Sequence, residues 1–284
     1  MSDPIDRGRW FVSTGWLAER LGDPQIAIVD ASWHLPTSAR DARAEYLERH
    51  IPGAVFFDID AIADRATPLP HMLPAPEAFA EAVGDLGIGD GQEIVVYDVG
   101  PLYSAPRGWW SFRTMGVERV RILDGGLAAW IAEGRPVASG PERRARRRFT
   151  PRFDPARIAD LETVRDALSS GAAQVADARP APRFLGEAPE PRPGLRSGHM
   201  PGACSLPGST LVDPSGRLVT GDELRGAFES AGIELAKPMI ATCGSGVVAA
   251  TLALAAEMLT GRPAAVYDGS WAEWGGRDDV AIEP

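Results

Sequence analysis

The chain has 284 residues, 44% of them hydrophobic, enough to build two domains of ordinary size or one large one. Its formal charge of −10 argues against a nucleic-acid surface, because phosphate binding needs a basic face. No apolar run approaches the roughly 18–20 residues that span a bilayer, and two cysteines, Cys204 and Cys243, make neither a disulfide framework nor a zinc site.

The opening run, Met1-Ser2-Asp3-Pro4-Ile5-Asp6-Arg7, has no apolar signal core, so a cytoplasmic protein with free thiols is expected. Further on, short β-rich runs at Ile26–Val29, Ile94–Tyr97 and Val120–Leu123 read as strands. Between them Pro76–Leu86 reads as a helix ended at Gly87, and Ala105–Met115 as a second. Pro136 to Pro155 is rich in proline and arginine and includes Arg143-Arg144-Ala145-Arg146-Arg147-Arg148. That run reads as a solvated linker packed on acidic domain surfaces. Asp222–Ala231 is then a helix stopped by Gly232. Met239 to Thr242 is an apolar, strand-like run that ends in Cys243, and Val247–Leu259 reads as a helix stopped near Gly261. The alternation predicts an α/β fold, a mostly parallel sheet with helices on both faces, with ligands gathering at the carboxyl ends of the strands.

The chain also repeats itself. Ile28-Val29-Asp30-Ala31 matches Val175-Ala176-Asp177-Ala178, and His50-Ile51-Pro52-Gly53-Ala54 matches His199-Met200-Pro201-Gly202-Ala203. Ile94 to Asp98 matches Met239 to Cys243, and Asp124-Gly125-Gly126-Leu127-Ala128-Ala129-Trp130 matches Asp268-Gly269-Ser270-Trp271-Ala272-Glu273-Trp274. The offsets stay near about 147 residues and the order is kept, so two copies of one domain are expected. The first should occupy 1–138, the linker 139–155 and the second copy 156–284.

What both copies share is read as scaffold, and what one copy has alone is a better candidate for function. By that test His50, His199, Asp30 and Asp177 are structural. Cys243 is set apart, because its counterpart is Asp98. A cysteine between a strand end and a helix N-terminus meets unpaired N–H groups and the positive end of the helix dipole, which favour a thiolate. Cys204 follows a Pro-Gly turn in an apolar run and reads as structural.

Carried by Cys243-Gly244-Ser245-Gly246-Val247, the chain resembles the two-domain sulfurtransferases of the rhodanese family over about residues 10 to 280. Ala31-Ser32-Trp33-His34-Leu35-Pro36, His50 to Asp60, His71-Met72-Leu73-Pro74, Ser104-Ala105-Pro106-Arg107 and Pro189-Glu190-Pro191-Arg192 extend the likeness to the branch that uses 3-mercaptopyruvate. The thiosulfate branch has two basic residues where Gly244 and Ser245 stand. A thiosulfate dianion wants local cations, which a neutral Gly-Ser loop does not supply. The chain departs from the branch at Val248, where threonine is usual, at Ser205, where asparagine is common, and in a slightly shortened loop after Asp98.

The resemblance implies an enzyme in which Cys243 takes sulfur from 3-mercaptopyruvate as a persulfide, releases pyruvate, and passes the sulfur to a thiol, a reduced thioredoxin or cyanide. It implies Arg183 and Arg192 as the carboxylate site, suited to bidentate binding, and Ser245, His71 and Asp60 as a proton relay. Backbone N–H groups of Gly244, Gly246, Val247 and Val248 are expected to cradle the sulfur anion. The active site would then lie between the domains of a monomer with no metal and no cofactor. Three rivals are a thiosulfate:cyanide sulfurtransferase, a non-catalytic sulfur-relay module, and a cysteine phosphatase. The last needs an arginine six positions after the cysteine, where Ala249 stands.

Overall fold

The computed structural model describes residues 6–284, which fold as two α/β units of one plan. In the first, strands β1 (Phe11–Val12), β2 (Ile26–Asp30), β3 (Val55–Phe56), β4 (Glu93–Tyr97) and β5 (Val120–Leu123) alternate with helices. These are α1 (Thr14–Ala18), α2 (Ala42–Glu48), α3 (Pro76–Asp85), α4 (Ala105–Thr114) and α5 (Gly126–Ala132). The second has β6 (Ile158–Ala159), β7 (Gln174–Asp177), β8 (Cys204–Ser205), β9 (Met239–Thr242) and β10 (Ala265–Tyr267). Its helices are α6 (Leu161–Ser170), α7 (Ala181–Phe184), α8 (Gly221–Ser230), α9 (Ala249–Thr260) and α10 (Ser270–Trp274). Both sheets are parallel, ordered β1-β5-β4-β2-β3 and β6-β10-β9-β7-β8.

Strands buried on both faces read as continuous apolar runs rather than alternating ones, and β2 and β4 do so. Alternate residues then join different cores. Ala27, Val29, Ile94 and Val96 pack with Phe79 of α3 and Trp109 of α4. Ile26, Ile28, Val95 and Tyr97 pack with Leu17 of α1 and Trp130 of α5. In the second unit Val175 and Ile240 face Val164 of α6 and Trp271 of α10. The first of these cores runs on through α4 and α9 into Ala176, Ala241 and Val266, so the two units share one apolar interior.

The expected elements are present with small shifts at their ends. One shift bears on the site: Val247 and Val248, expected inside a helix, belong to the turn before α9. The segment between α5 and β6 lies on the first unit. Phe149 is buried against Phe79, Arg146 reaches Asp85 at 3.2 Å, and Thr150 Oγ1 donates to Asp90 at 2.7 Å.

The repeated histidines do the same work twice. His50 Nδ1 lies 2.8 Å from the Tyr46 carbonyl with the rings stacked, and His199 Nδ1 lies 3.0 Å from the Phe184 carbonyl with the rings stacked. Cys204 sits half-buried in β8, where burial pushes its thiol pKa up. Strand register places the pair of interest: Asp30 is level with Tyr97, and Asp177 with Thr242. The next residues, Asp98 and Cys243, therefore leave their sheets at the same point.

Candidate active site

Cys243 is the first residue past β9 and is 4% exposed. Its turn is pinned by the start of α10. Trp271 N–H donates to the Cys243 carbonyl at 3.0 Å and Ala272 N–H to the Gly244 carbonyl at 2.9 Å. Ser270 Oγ accepts the Cys243 N–H at 3.3 Å and donates to the Tyr267 carbonyl at 2.8 Å. Ser270 is fully buried with φ +49°, a left-handed conformation that costs a non-glycine residue energy. Its counterpart in the first copy is Gly126, also left-handed at φ +59°. Ser270 had no place in the expected site, although the Asp-Gly-Gly against Asp-Gly-Ser mismatch between the copies marks it.

Both loop glycines have close neighbours. A Cβ at Gly244 would stand 2.9 Å from Nη2 of Arg183. At Gly246, where φ is +78°, it would stand 2.9 Å from Nη1 of Arg107 and 3.0 Å from the Asp268 carbonyl. Val247 is buried, and Val248 precedes α9 and faces the cavity described below. Ser245 is 5% exposed beside Cys243.

Arg183, on α7, is tied to Glu190, which Arg179 also holds at 2.8 Å. Arg179 is fully buried, lies over the Trp271 ring and grips Asp177. An alternating ladder Asp177–Arg179–Glu190–Arg183 thus runs from the core to the loop, and it leaves Arg183 little freedom to turn.

His71 and Asp60 come from the first unit. His71 has φ +63° and is 5% exposed. Its Nδ1 lies 2.8 Å from Asp60 Oδ1, and Trp33 Nε1 donates to Asp60 Oδ2 at 3.0 Å. Burial holds the imidazole pKa below its ordinary value in spite of Asp60, while the bond from His71 lowers the Asp60 carboxyl. Nε2 lies 3.0 Å from Nη2 of Arg192. Of the residues expected to form a relay, the structure brings His71 and Asp60 together, while the other ring nitrogen meets Arg192 and not the Ser245 hydroxyl.

Arg107, on α4, binds the strap that carries His71 to the cysteine turn. It is 2% exposed and lies over the Trp110 ring. It donates to the Gly246 carbonyl at 3.2 Å, to Asp268 Oδ1 at 2.6 Å and to the His71 carbonyl. Asp268 Oδ2 in turn accepts Leu73 N–H at 2.6 Å. In the sequence Arg107 falls within a segment that carries the family likeness, with nothing there to mark its role.

A cavity of about 340 Å³ lies between the units beside the Cys243 turn. Trp33, Leu35, Leu102 and Tyr103 line it from the first, and Arg183, Arg192, Val248 and the Cys243 turn from the second. Burial and the nearby sulfur push the Tyr103 phenol up to about 12, so it is a neutral wall with a hydroxyl to donate. Tyr103 was not foreseen either.

The matching turn of the first unit shows what such a turn can hold. The Asp98 carboxylate accepts Gly100 N–H at 3.0 Å and the N–H groups of Tyr103, Ser104 and Ala105 at 2.8 Å each. Burial pushes its pKa up and these four amides oppose that. Four backbone donors converge on an anion at the strand end, and the loop they fix carries Leu102 and Tyr103 to the cavity. Among the described residues no group of three or more metal-ligating side chains occurs, and no helix is long and apolar enough to cross a membrane.

Comparison with known proteins gives the following. The rhodanese-like domain family matches residues 13–133 and 160–277. The 3-mercaptopyruvate sulfurtransferase of Escherichia coli (strain K12) is 48% identical over 276 residues, covering 97% of this chain and 98% of that protein. The thiosulfate sulfurtransferase of Bos taurus is 45% identical over 275 residues, covering 94% of this chain and 92% of that protein. The crystal structure of SseA from Escherichia coli superposes with a TM-score of 0.86 at 46% identity, covering 92% of this chain and 98% of that one.

Proposed function

The chain belongs to the rhodanese family, and from that premise we propose that it is a sulfurtransferase that takes sulfur from 3-mercaptopyruvate through a persulfide on Cys243. Overall identity does not choose the donor, since relatives named for 3-mercaptopyruvate and for thiosulfate are 48% and 45% identical. The observation that carries the choice is the Gly244–Arg183 contact. The turn beside Cys243 has no cation of its own; of the three arginines that line the cavity, Arg179 is taken up by Asp177 and Glu190, which leaves Arg183, next to Gly244, and Arg192 toward the donor. A small keto acid with sulfur at one end and a carboxylate at the other spans that arrangement.

In this reading the Cys243 thiolate attacks the donor sulfur. The new S–S bond forms as the C3–S bond breaks, and the electron pair passes to C3 as the pyruvate enolate. The thiol proton leaves for the relay of Ser245, His71 and Asp60 and returns to C3, so pyruvate departs and Cys243 carries the persulfide anion. Backbone N–H groups of Gly244, Gly246, Val247 and Val248 would cradle that anion, much as four backbone N–H groups of the first unit cradle Asp98. A thiol or cyanide then removes the outer sulfur in a second half-reaction, which gives ping-pong kinetics. The acceptor reading includes reduced thioredoxin, and two unpaired cysteines suit the reducing cytoplasm.

The ratio of kcat/KM for the two donors tests the proposal. A clear preference for 3-mercaptopyruvate supports it. A preference for thiosulfate would make this a thiosulfate:cyanide sulfurtransferase instead.

A further inference from the structure

The contact between Arg192 Nη2 and His71 Nε2, at 3.0 Å, has a definite chemistry. A guanidinium has donors only, so Nε2 must be the acceptor, and the ring proton sits on Nδ1 toward Asp60. The nitrogen free of Asp60 is thus engaged by the arginine that also faces the donor. Neither His71 nor Asp60 lines the cavity, whereas Arg192 and Trp33, which touch them, do.

We propose that Arg192 couples donor recognition to proton transfer, dividing its guanidinium between the His71 imidazole and the donor carboxylate so that binding the second frees the first. The inference rests on the keto-acid donor reading above. Competition favours the carboxylate, because a guanidinium binds it as an ion pair and bidentately, whereas the neutral imidazole offers one uncharged acceptor. Arg183 is a poor substitute, being held by Glu190. Once released, Nε2 takes the donor thiol proton by way of Ser245 and gives it back to C3, and the histidine ends as it began. A thiol donor without an anionic group leaves Nε2 bound to Arg192, so the proton transfer itself discriminates between donors.

The charged groups that face His71 are Asp60 at Nδ1, Arg192 at Nε2 and Arg107 at its backbone carbonyl. Arg107 remains held by Asp268, and the Trp33 ring packs edge-on at 4.8 Å. Drawing one arginine away removes a cation that disfavours the imidazolium, so donor binding should raise the His71 pKa.

The test uses full-length protein with pyruvate as probe, which has the carboxylate and keto group but no sulfur. Imidazole 15N resonances are followed against pH, with His71→Asn identifying the His71 signals, and calorimetry measures pyruvate binding. Saturating pyruvate should change the Nε2 shift and raise the His71 pKa by on the order of one unit. Arg192→Ala should show the raised value without pyruvate and no further rise with it; Arg192→Gln serves the same comparison if the alanine variant does not fold. Pyruvate that binds without moving His71 overturns the coupling and leaves the donor reading standing. An unchanged His71 pKa in folded Arg192→Ala overturns it equally. Pyruvate that does not bind overturns the donor reading and the coupling together.

Discussion

Arg107 of the first unit and Asp268 of the second meet at 2.6 Å inside the protein, each almost wholly buried. The same guanidinium holds the carbonyls of Gly246 and His71, so one side chain sets the histidine strap against the cysteine turn. Removing one partner of such a pair leaves the other charged and unpaired, at a cost of about 3–5 kcal/mol. Arg107→Ala should lose about that much in urea unfolding and most of its kcat, and Arg107→Lys should recover part of both. A loss below about 1 kcal/mol, the scale of a surface pair, would show that the contact is incidental.

The two loop glycines should fail in different ways. Gly246→Ala must hold a left-handed backbone and push Arg107, and should lose at least about 1–2 kcal/mol of stability from the backbone alone. Gly244→Ala has no such backbone strain and meets only the end of Arg183. It should keep its stability and raise KM for 3-mercaptopyruvate by roughly ten-fold, the scale of one displaced hydrogen-bonded contact. Equal loss of stability in both variants would contradict the assignment.

Asp30 predicts an acid-side stability slope. It is buried, one carboxyl oxygen lacks a partner, and burial raises its pKa to about 6. The folded state therefore holds this proton to a higher pH than the unfolded state, so stability from this group falls as pH rises from about 4 to about 6. Above that window the cost is roughly 3 kcal/mol. Asp30→Asn should remove this component, and its stability should gain on the native protein as pH increases across the window. Parallel unfolding curves at pH 4.5 and 7.5 would contradict it.

The pH dependence of the reaction follows from His71. As a base it must be neutral, and burial keeps its pKa below the ordinary 6.5. The acid limb of kcat/KM should therefore fall below that value, with activity lost as pH drops through it. Asp60→Asn removes the carboxylate that favours the charged ring, so the limb should move further to acid. The rate should drop on the order of a hundred-fold as the base loses its orienting partner. A limb left in place by Asp60→Asn would separate Asp60 from the relay.

Much of this was legible in the sequence where the signal is local. Unbroken apolar runs named β2, β4 and β9, a β-rich run broken only by Arg121 named β5, and the in-register matches paired Cys243 with Asp98. The edge strands β1, β3, β6 and β8 are two residues long and carry no periodicity to read. The roles of Arg107, Glu190 and Ser270 were not legible, because each is defined by a partner brought in by the fold. Arg107 meets Asp268 across 161 positions, and Ser270 reaches back 27 positions to Cys243. Arg192 shows the same limit: its contact with His71 joins segments 121 positions apart.

In the proposed mechanism Cys243 carries the transferred sulfur. Intact-mass and peptide mass spectrometry after brief incubation with 3-mercaptopyruvate, without acceptor, tests it most directly. The Cys243 peptide should gain one sulfur, removed by cyanide and absent in Cys243→Ser. No gain, or a gain that persists in Cys243→Ser on Cys204, would contradict it.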